Sequence, residues 1–175
     1  MSVSSHLNPE PERRLWIIHR LMRRSVEWTD IKLGALAAFA AAQMALIKVL
    51  VPGGPLTCPE LVLLSAVLFI GLIALSPLIE AQRHIPLIDP GLDKRRTGDC
   101  LIVPHDIAKY PQIELVIHLD RYLGGGVTAT PYYEDIVGQI LINARIATRK
   151  SRLFMGACVP AGLVQLGLLY RLVRG

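Results

Sequence analysis

The chain has 175 residues, is 52% hydrophobic but only 6% aromatic, and carries a formal net charge of +5. At that length one compact unit is the default, and its apolar mass is Leu, Ile, Val and Ala, which suit lipid better than a water-soluble globule. The three cysteines, Cys58, Cys100 and Cys158, have no metal-ligand or redox spacing and read as unpaired thiols.

Residues 1–8 are polar. Asn8 before Pro9 starts a helix, with Glu10 and Glu12 near the positive end of its dipole. As far as Thr29 the pattern is amphipathic. Leu15, Ile18, Leu21, Met22 and Val26 share one face, and Arg13, Arg20, Arg23, Arg24 and Glu27 the other. The first long apolar run, residues 33–51, follows with no Gly or Pro between, so the pattern predicts one rod of roughly forty residues and about 60 Å. This run lies too far from the start, and is too long, for a cleaved signal core, and it reads as a signal anchor that stays in the protein. Gly34, Ala38 and Ala42 recur every four residues in it, as do Ala37, Ala41 and Ala45. Small residues at that spacing let helices approach closely in lipid. Gln43 either bonds across to a neighbouring helix or is a tolerated lone amide.

Pro52-Gly53-Gly54-Pro55 is a tight turn. The second run, residues 61–79, contains no charge. It ends near Glu80, with Pro77 bending its last turn. Residues 81–111 change character, because Pro86, Pro90, Pro104 and Pro111 break any long helix. Residues 100–103 read as a short strand or extended segment. Residues 112–123 read as an amphipathic helix with Ile113, Val116, Ile117 and Leu123 toward a core, ended by the glycines from Gly124 to Gly126. A second long helix starts near Pro131 and runs without a breaker into the third apolar run, residues 153–170, where Pro160 is expected to kink it.

Runs of 18–19 residues rise roughly 27–29 Å as helices, about the hydrocarbon thickness of a bilayer. All 19 Lys and Arg residues except Lys48, Arg171 and Arg174 lie before the first run or between the second and third. Positive charge stays inside, which places the N-terminus and the central segment in the cytoplasm and the C-terminus outside. Lys48, near the outer end of the first run, is placed to snorkel to the headgroups. The expected architecture is an all-α membrane protein: three transmembrane helices, long cytoplasmic helical extensions and a small cytoplasmic segment between spans two and three. Its divisions are a cytoplasmic amphipathic helix at 1–32, spans at 33–51, 61–79 and 153–173, and a cytoplasmic segment at 80–152.

Motifs for catalysis are lacking. Gly124-Gly125-Gly126 is followed by Val127-Thr128-Ala129, without the Lys-Ser/Thr of a phosphate loop. His6, His19, His84, His105 and His118 match no recurring metal-ligand spacing, even with His105-Asp106 near Cys100. Asp89 and Asp93 flank a Pro-Gly turn and serve it. No Gly-x-Ser-x-Gly nucleophile appears. The reading is a non-enzymatic protein that needs no cofactor.

Arg145, Arg149, Lys150 and Arg152 form a basic cluster, with Arg145, Arg149 and Arg152 on one stripe of a helix. It has three readings. It meets anionic lipid at the membrane surface. It holds an anionic ligand, since a guanidinium suits phosphate. Or it pairs inside the protein with Glu80, Glu134 or Asp135.

Three stretches carry a resemblance. Asp30-Ile31-Lys32-Leu33-Gly34-Ala35-Leu36 leads into a small-residue run. Leu101-Ile102-Val103-Pro104-His105-Asp106-Ile107-Ala108 precedes Tyr110 and an acidic-apolar helix. The stretch from Asp135 to Lys150, DIVGQILINARIATRK, runs into the last apolar segment. In this order they resemble the Pycsar membrane effectors of bacterial antiphage defence, over roughly residues 26–172. The resemblance implies that a neighbouring pyrimidine nucleotide cyclase makes cyclic UMP or cyclic CMP on infection. The effector senses it and damages the inner membrane, and the cell dies before phage mature. On that reading Arg145, Arg149 and Lys150 are the candidates for phosphate contact. Lipid and further copies of the chain, in a homo-oligomer, are the other partners. The alternative is a membrane scaffold or small channel without a nucleotide ligand.

Overall fold

A computed structural model describes residues 10–50, 58–76, 99–124 and 130–174. Five helices occur in this order: α1 Glu10–Leu50, α2 Cys58–Leu75, α3 Pro104–Ile107, α4 Gln112–Leu123 and α5 Pro131–Arg174. No strand occurs among the described residues. The expected turn at Pro52–Pro55, the end of the second run at Pro77 and Glu80, and Asp89 and Asp93 all lie outside them.

Helix α1 runs 41 residues without a break, as the absence of a breaker between its amphipathic and apolar parts predicts. On its exposed side Arg23 pairs with Glu27 one turn later, at 3.4 Å. Helix α5 runs 44 residues and continues through Pro160. Pro131 opens it, and Thr130 Oγ1 accepts the Tyr133 N–H at 3.3 Å, satisfying one donor of the first turn. Helix α4 stops at Gly124, whose φ of 109° is left-handed and whose N–H bonds back to Arg121.

Residues 100–103 are not a strand. The Val103 N–H donates to the Cys100 carbonyl at 3.1 Å, closing a turn. Pro104 then opens α3, because its fixed φ suits a first helical position. A lone strand here would lack a partner for its backbone groups, and the turn supplies one locally.

The chain packs as two units, Met1–Glu27 with Asp89–Thr148, and Trp28–Ile88 with Arg149–Gly175. The first unit has a core of large apolar side chains. Leu15, Ile18 and Met22 of α1 meet Leu101, Ile107 and Tyr110, Leu115, Leu119 and Leu123 of α4, and Tyr133, Ile136, Val137 and Ile140 of α5. The expected core face of α4 is half right: Leu123 is buried and Val116 packs against the core, but the two isoleucines point outward. Ile113 and Ile117 are 78% and 54% exposed, while Leu115 and Leu119 are fully buried. Leu21 is likewise exposed beside the buried Met22. Periodicity alone allowed either set; the contacts with α5 select the Leu face.

The second unit is packed differently. Its interior mixes alanines with larger side chains: Ala40 and Ile47 from α1, Leu64 and Val67 from α2, and Ala157, Ala161 and Val164 from α5. Leu33 and Ala74 form a further contact with Leu153 and Phe154. Its outside carries Phe39, Leu46, Phe69, Leu72, Val159 and Leu166, all exposed. Helices α1 and α5 are long and apolar enough to cross a membrane, with only 22% and 17% of the apolar stretch buried. That separates them from core helices of a water-soluble protein, which hide such stretches. Helix α2 is apolar but shorter. Alanines at the helix contacts, with large apolar side chains on the outside, is an arrangement lipid permits.

The small residues of α1 divide. Ala40 is buried, and Ala37 reaches α2, where a Cβ on Gly71 would stand 3.4 Å from it. Gly34, Ala38 and Ala42 face away, and a Cβ on Gly34 would meet nothing within 4 Å. Gln43 Oε1 is buried but accepts no hydrogen bond among the described residues, so the amide is not bonded across to a neighbouring helix there.

Candidate functional site

The first unit gathers its polar chemistry around α3. Pro104 starts the helix so that Asp106 and Lys109 lie one turn apart. Lys109 Nζ bonds Asp106 Oδ1 at 2.7 Å and Asp99 Oδ1 at 3.2 Å. Asp106 Oδ2 accepts the Cys100 N–H at 3.1 Å, which ties the preceding turn to the helix. Tyr110 Oη reaches Asp99 Oδ2 at 3.5 Å, and its ring lies 5.3 Å from the ring of His118 on α4.

Both charges are held by each other. The Lys109 ammonium, with the Cys100 N–H, keeps the Asp106 carboxyl below its ordinary value against the opposing effect of burial. Asp106, then Asp99, raise the Lys109 ammonium above its ordinary value. Asp106 thus spends both oxygens on the segment's own structure. Across the core, burial and then the nearby Asp120 charge push the Tyr133 phenol up to about 12. Tyr133 Oη and Asp120 Oδ1 are both buried and make no hydrogen bond among the described residues.

The basic stripe of α5 divides between the two units. Arg145, in the first, turns to the end of α3. Its Nη2 donates to the Tyr110 carbonyl at 3.1 Å and its Nε to the Ala108 carbonyl at 3.5 Å. A cation at carbonyls left over by a helix end is favourable. Arg149 and Lys150 lie in the second unit, 6% and 2% exposed. Lys150 Nζ bonds both carboxylate oxygens of Asp30 on α1, at 2.8 and 3.1 Å. Arg152 is half-buried.

The sequence therefore located the cationic helix face but not its partners. Glu80 lies outside the described residues. Asp30, not Glu134 or Asp135, takes Lys150, and backbone carbonyls take Arg145. The signal for Asp30 was present, since a lone acid at the entrance to an apolar run needs a cation nearby. The Asp99–Lys109–Asp106 arrangement had a signal too, in the i, i+3 spacing of Asp106 and Lys109. Cys100 and Cys158 are both free thiols and both exposed.

An all-helical fold among the described residues, with two helices long and apolar enough to cross a membrane, defines a membrane protein. The profile of the Pycsar effector protein domain matches residues 14–172, and the chain belongs to that family. The match supports the role of an antiphage-defence effector and links the chain to cyclic pyrimidine signalling. No curated protein and no solved structure matches it.

Proposed function

We propose that this protein is a non-enzymatic effector that senses cyclic UMP or cyclic CMP and then disrupts the inner membrane, killing the infected cell. It pairs with a neighbouring pyrimidine nucleotide cyclase, acts as a homo-oligomer, and crosses the membrane three times with its N-terminus in the cytoplasm. The observation that carries the reading is the family match over residues 14–172. The continuity of α1 and α5 adds a physical route. Each helix contributes residues to the first unit's core and to the second unit's interior. A ligand that binds one arrangement of the first unit better than another therefore shifts the helices that continue into the second.

Arg145, Arg149 and Lys150 enter as phosphate candidates on one condition. A phosphate there exchanges with bonds already made, the carbonyls of Ala108 and Tyr110 for Arg145 and the Asp30 carboxylate for Lys150. Such an exchange would itself be the trigger, since it releases α5 from α3 or from α1.

The test is reconstitution. Purified protein in vesicles of bacterial inner-membrane lipid is challenged with cyclic UMP, cyclic CMP or linear UMP, and leakage of a trapped dye is followed. Leakage with a cyclic pyrimidine nucleotide alone is the expected result. Tight nucleotide binding without leakage would remove the membrane step, and no response to either ligand from folded protein would leave a scaffold.

A further inference from the structure

The first unit contains a groove of about 460 Å³ that none of the interactions above uses. Its walls are Arg14, Ile17, Ile18 and Leu21 of α1 on one side, and Ile102 with Tyr122 and Leu123 on the other. Ile18 and Leu123 form a buried floor, whereas Ile17, Leu21, Ile102 and Tyr122 keep 51%, 41%, 42% and 53% of their surface exposed. In an aqueous unit that is a substantial apolar lining left open to solvent.

We propose that this groove is the nucleotide site: the pyrimidine ring lies against Tyr122 between the aliphatic walls, and Arg14 meets the cyclic phosphate. The assignment rests on the sensing role proposed above and adds the place. Its size falls in the range of small-molecule pockets, about 300–1,000 Å³. Its make-up also fits, since such pockets are mostly apolar with a few polar groups that fix orientation. Arg14 is the one charged residue of the lining, and a cyclic monophosphate carries one negative charge. A guanidinium has five donors in a planar fork, so a second interaction within the protein leaves donors for two phosphate oxygens. Tyr122 offers a half-exposed ring, and stacking on an aromatic face is the common way proteins hold a single base. Asp and Glu, which would repel the ligand, are absent from the lining.

The position explains sensing better than the basic stripe does. A ligand here bonds to both walls at once. One wall is part of α1, the helix that also carries the first apolar run. The other is the turn at Ile102 and the end of α4. Occupation therefore favours whichever spacing of these elements suits the ligand, without first breaking Arg145 or Lys150 from its partner.

Calorimetry on the full chain in nanodiscs, with cyclic UMP and cyclic CMP as the probes, tests the site. Tyr122→Ala should weaken the bound nucleotide about tenfold or more, while Tyr122→Phe stays near wild type because the ring remains. Arg14→Gln should weaken it about ten- to a hundredfold. Leu21→Trp, which fills the groove from an exposed position, should abolish binding. Far-UV circular dichroism and thermal melting establish that each variant is folded. If wild type binds and all these variants bind equally well, the groove assignment is overturned while the sensing role stands. If folded wild type binds neither nucleotide, both fall. If Leu21→Trp instead expels co-purified lipid and leaves nucleotide affinity unchanged, the groove is an acyl-chain site and the assignment is again overturned.

Discussion

Lys150 and Asp30 stand 120 positions apart in the chain and 2.8 Å apart in space. The ammonium is 2% exposed and the carboxylate 35% exposed, so the lysine depends on the bond more than the acid does. Removing one member of a buried pair leaves the other charge uncompensated, at about 3–5 kcal/mol when both are fully buried. With one side partly wet, Asp30→Asn should cost about 1–3 kcal/mol. Lys150→Met should cost less, because the remaining carboxylate can turn to water. Unfolding in graded detergent checks the order, and the double variant should be more stable than Asp30→Asn alone.

The Asp106–Lys109 pair gives a pH dependence with a definite sign. Asp106 is held below its ordinary 3.8, so the folded state keeps the carboxylate ionised where the unfolded chain would protonate it. Its stabilisation is complete above that ordinary value and is lost as pH falls through the lower folded one. Lys109 is raised above 10.5, so its contribution is complete below 10.5 and disappears only as pH rises through the folded value. Urea unfolding at stepped pH should show acid loss of stability beginning at about pH 4. Asp106→Asn should flatten that limb and cost about 1–3 kcal/mol at neutral pH. An unchanged acid limb in the variant would mean that other carboxylates dominate.

Ala38 and Ala42 are exposed and a Cβ on Gly34 would meet nothing within 4 Å among the described residues, which suits contact between copies. Ala38→Leu with Ala42→Leu adds bulk where close approach is required. Loss of crosslinked oligomers and of toxicity is expected, with membrane insertion retained. Ala40, which is buried against α2 and α5, is the contrasting site, and there a Leu should damage folding instead.

Topology has reporters already in the sequence. Single-cysteine variants that keep only Cys58 or only Cys100 should react with an impermeant maleimide from opposite sides. Cys58 should react from outside, and Cys100 only after the membrane is opened. Cys100 is exposed, so silence from both sides would not be a matter of burial. The reverse pattern would remove the cytoplasmic sensing scheme.

Arg149→Gln separates the two placements of the phosphate. If the stripe holds it, affinity for cyclic UMP or cyclic CMP should drop about ten- to a hundredfold. If the groove at Tyr122 holds it, affinity should stay unchanged while Arg14→Gln weakens binding.

The long helices were legible because no breaker separates their amphipathic from their apolar parts. From Arg13 to Val51 no Pro occurs, and the change from amphipathic to uniformly apolar pattern marks where the surroundings change. Pro131 and Gly124 marked a start and a stop correctly, because each acts through its own backbone. The turn at residues 100–103 was misread, since a four-residue apolar stretch has no period to distinguish strand from turn. Ile113 and Ile117 were placed inward for a similar reason. A twelve-residue helix with apolar groups on two stripes is oriented by its neighbours, and the Gln112 bond to the Glu134 carbonyl at 3.3 Å is one such constraint. The partners of Arg145 were out of reach because backbone carbonyls leave no mark in a sequence, whereas Asp30 marked the need for a cation but, being remote along the chain, not which one.

The apolar outside of the second unit bears on how heat acts on the molecule. Water gains little when Ala40 leaves Ala161, because Phe39, Phe69, Leu72 and other large side chains of that unit already lie outside. In lipid the interior is held by close contact and by the Asp30–Lys150 bond rather than by the hydrophobic effect. The first unit, with Leu115, Leu119 and Ile140 shut away from solvent, would supply nearly all of the heat-capacity increment on melting. Calorimetric enthalpy and helix loss by circular dichroism should then follow different temperature courses, and no single Tm describes the chain.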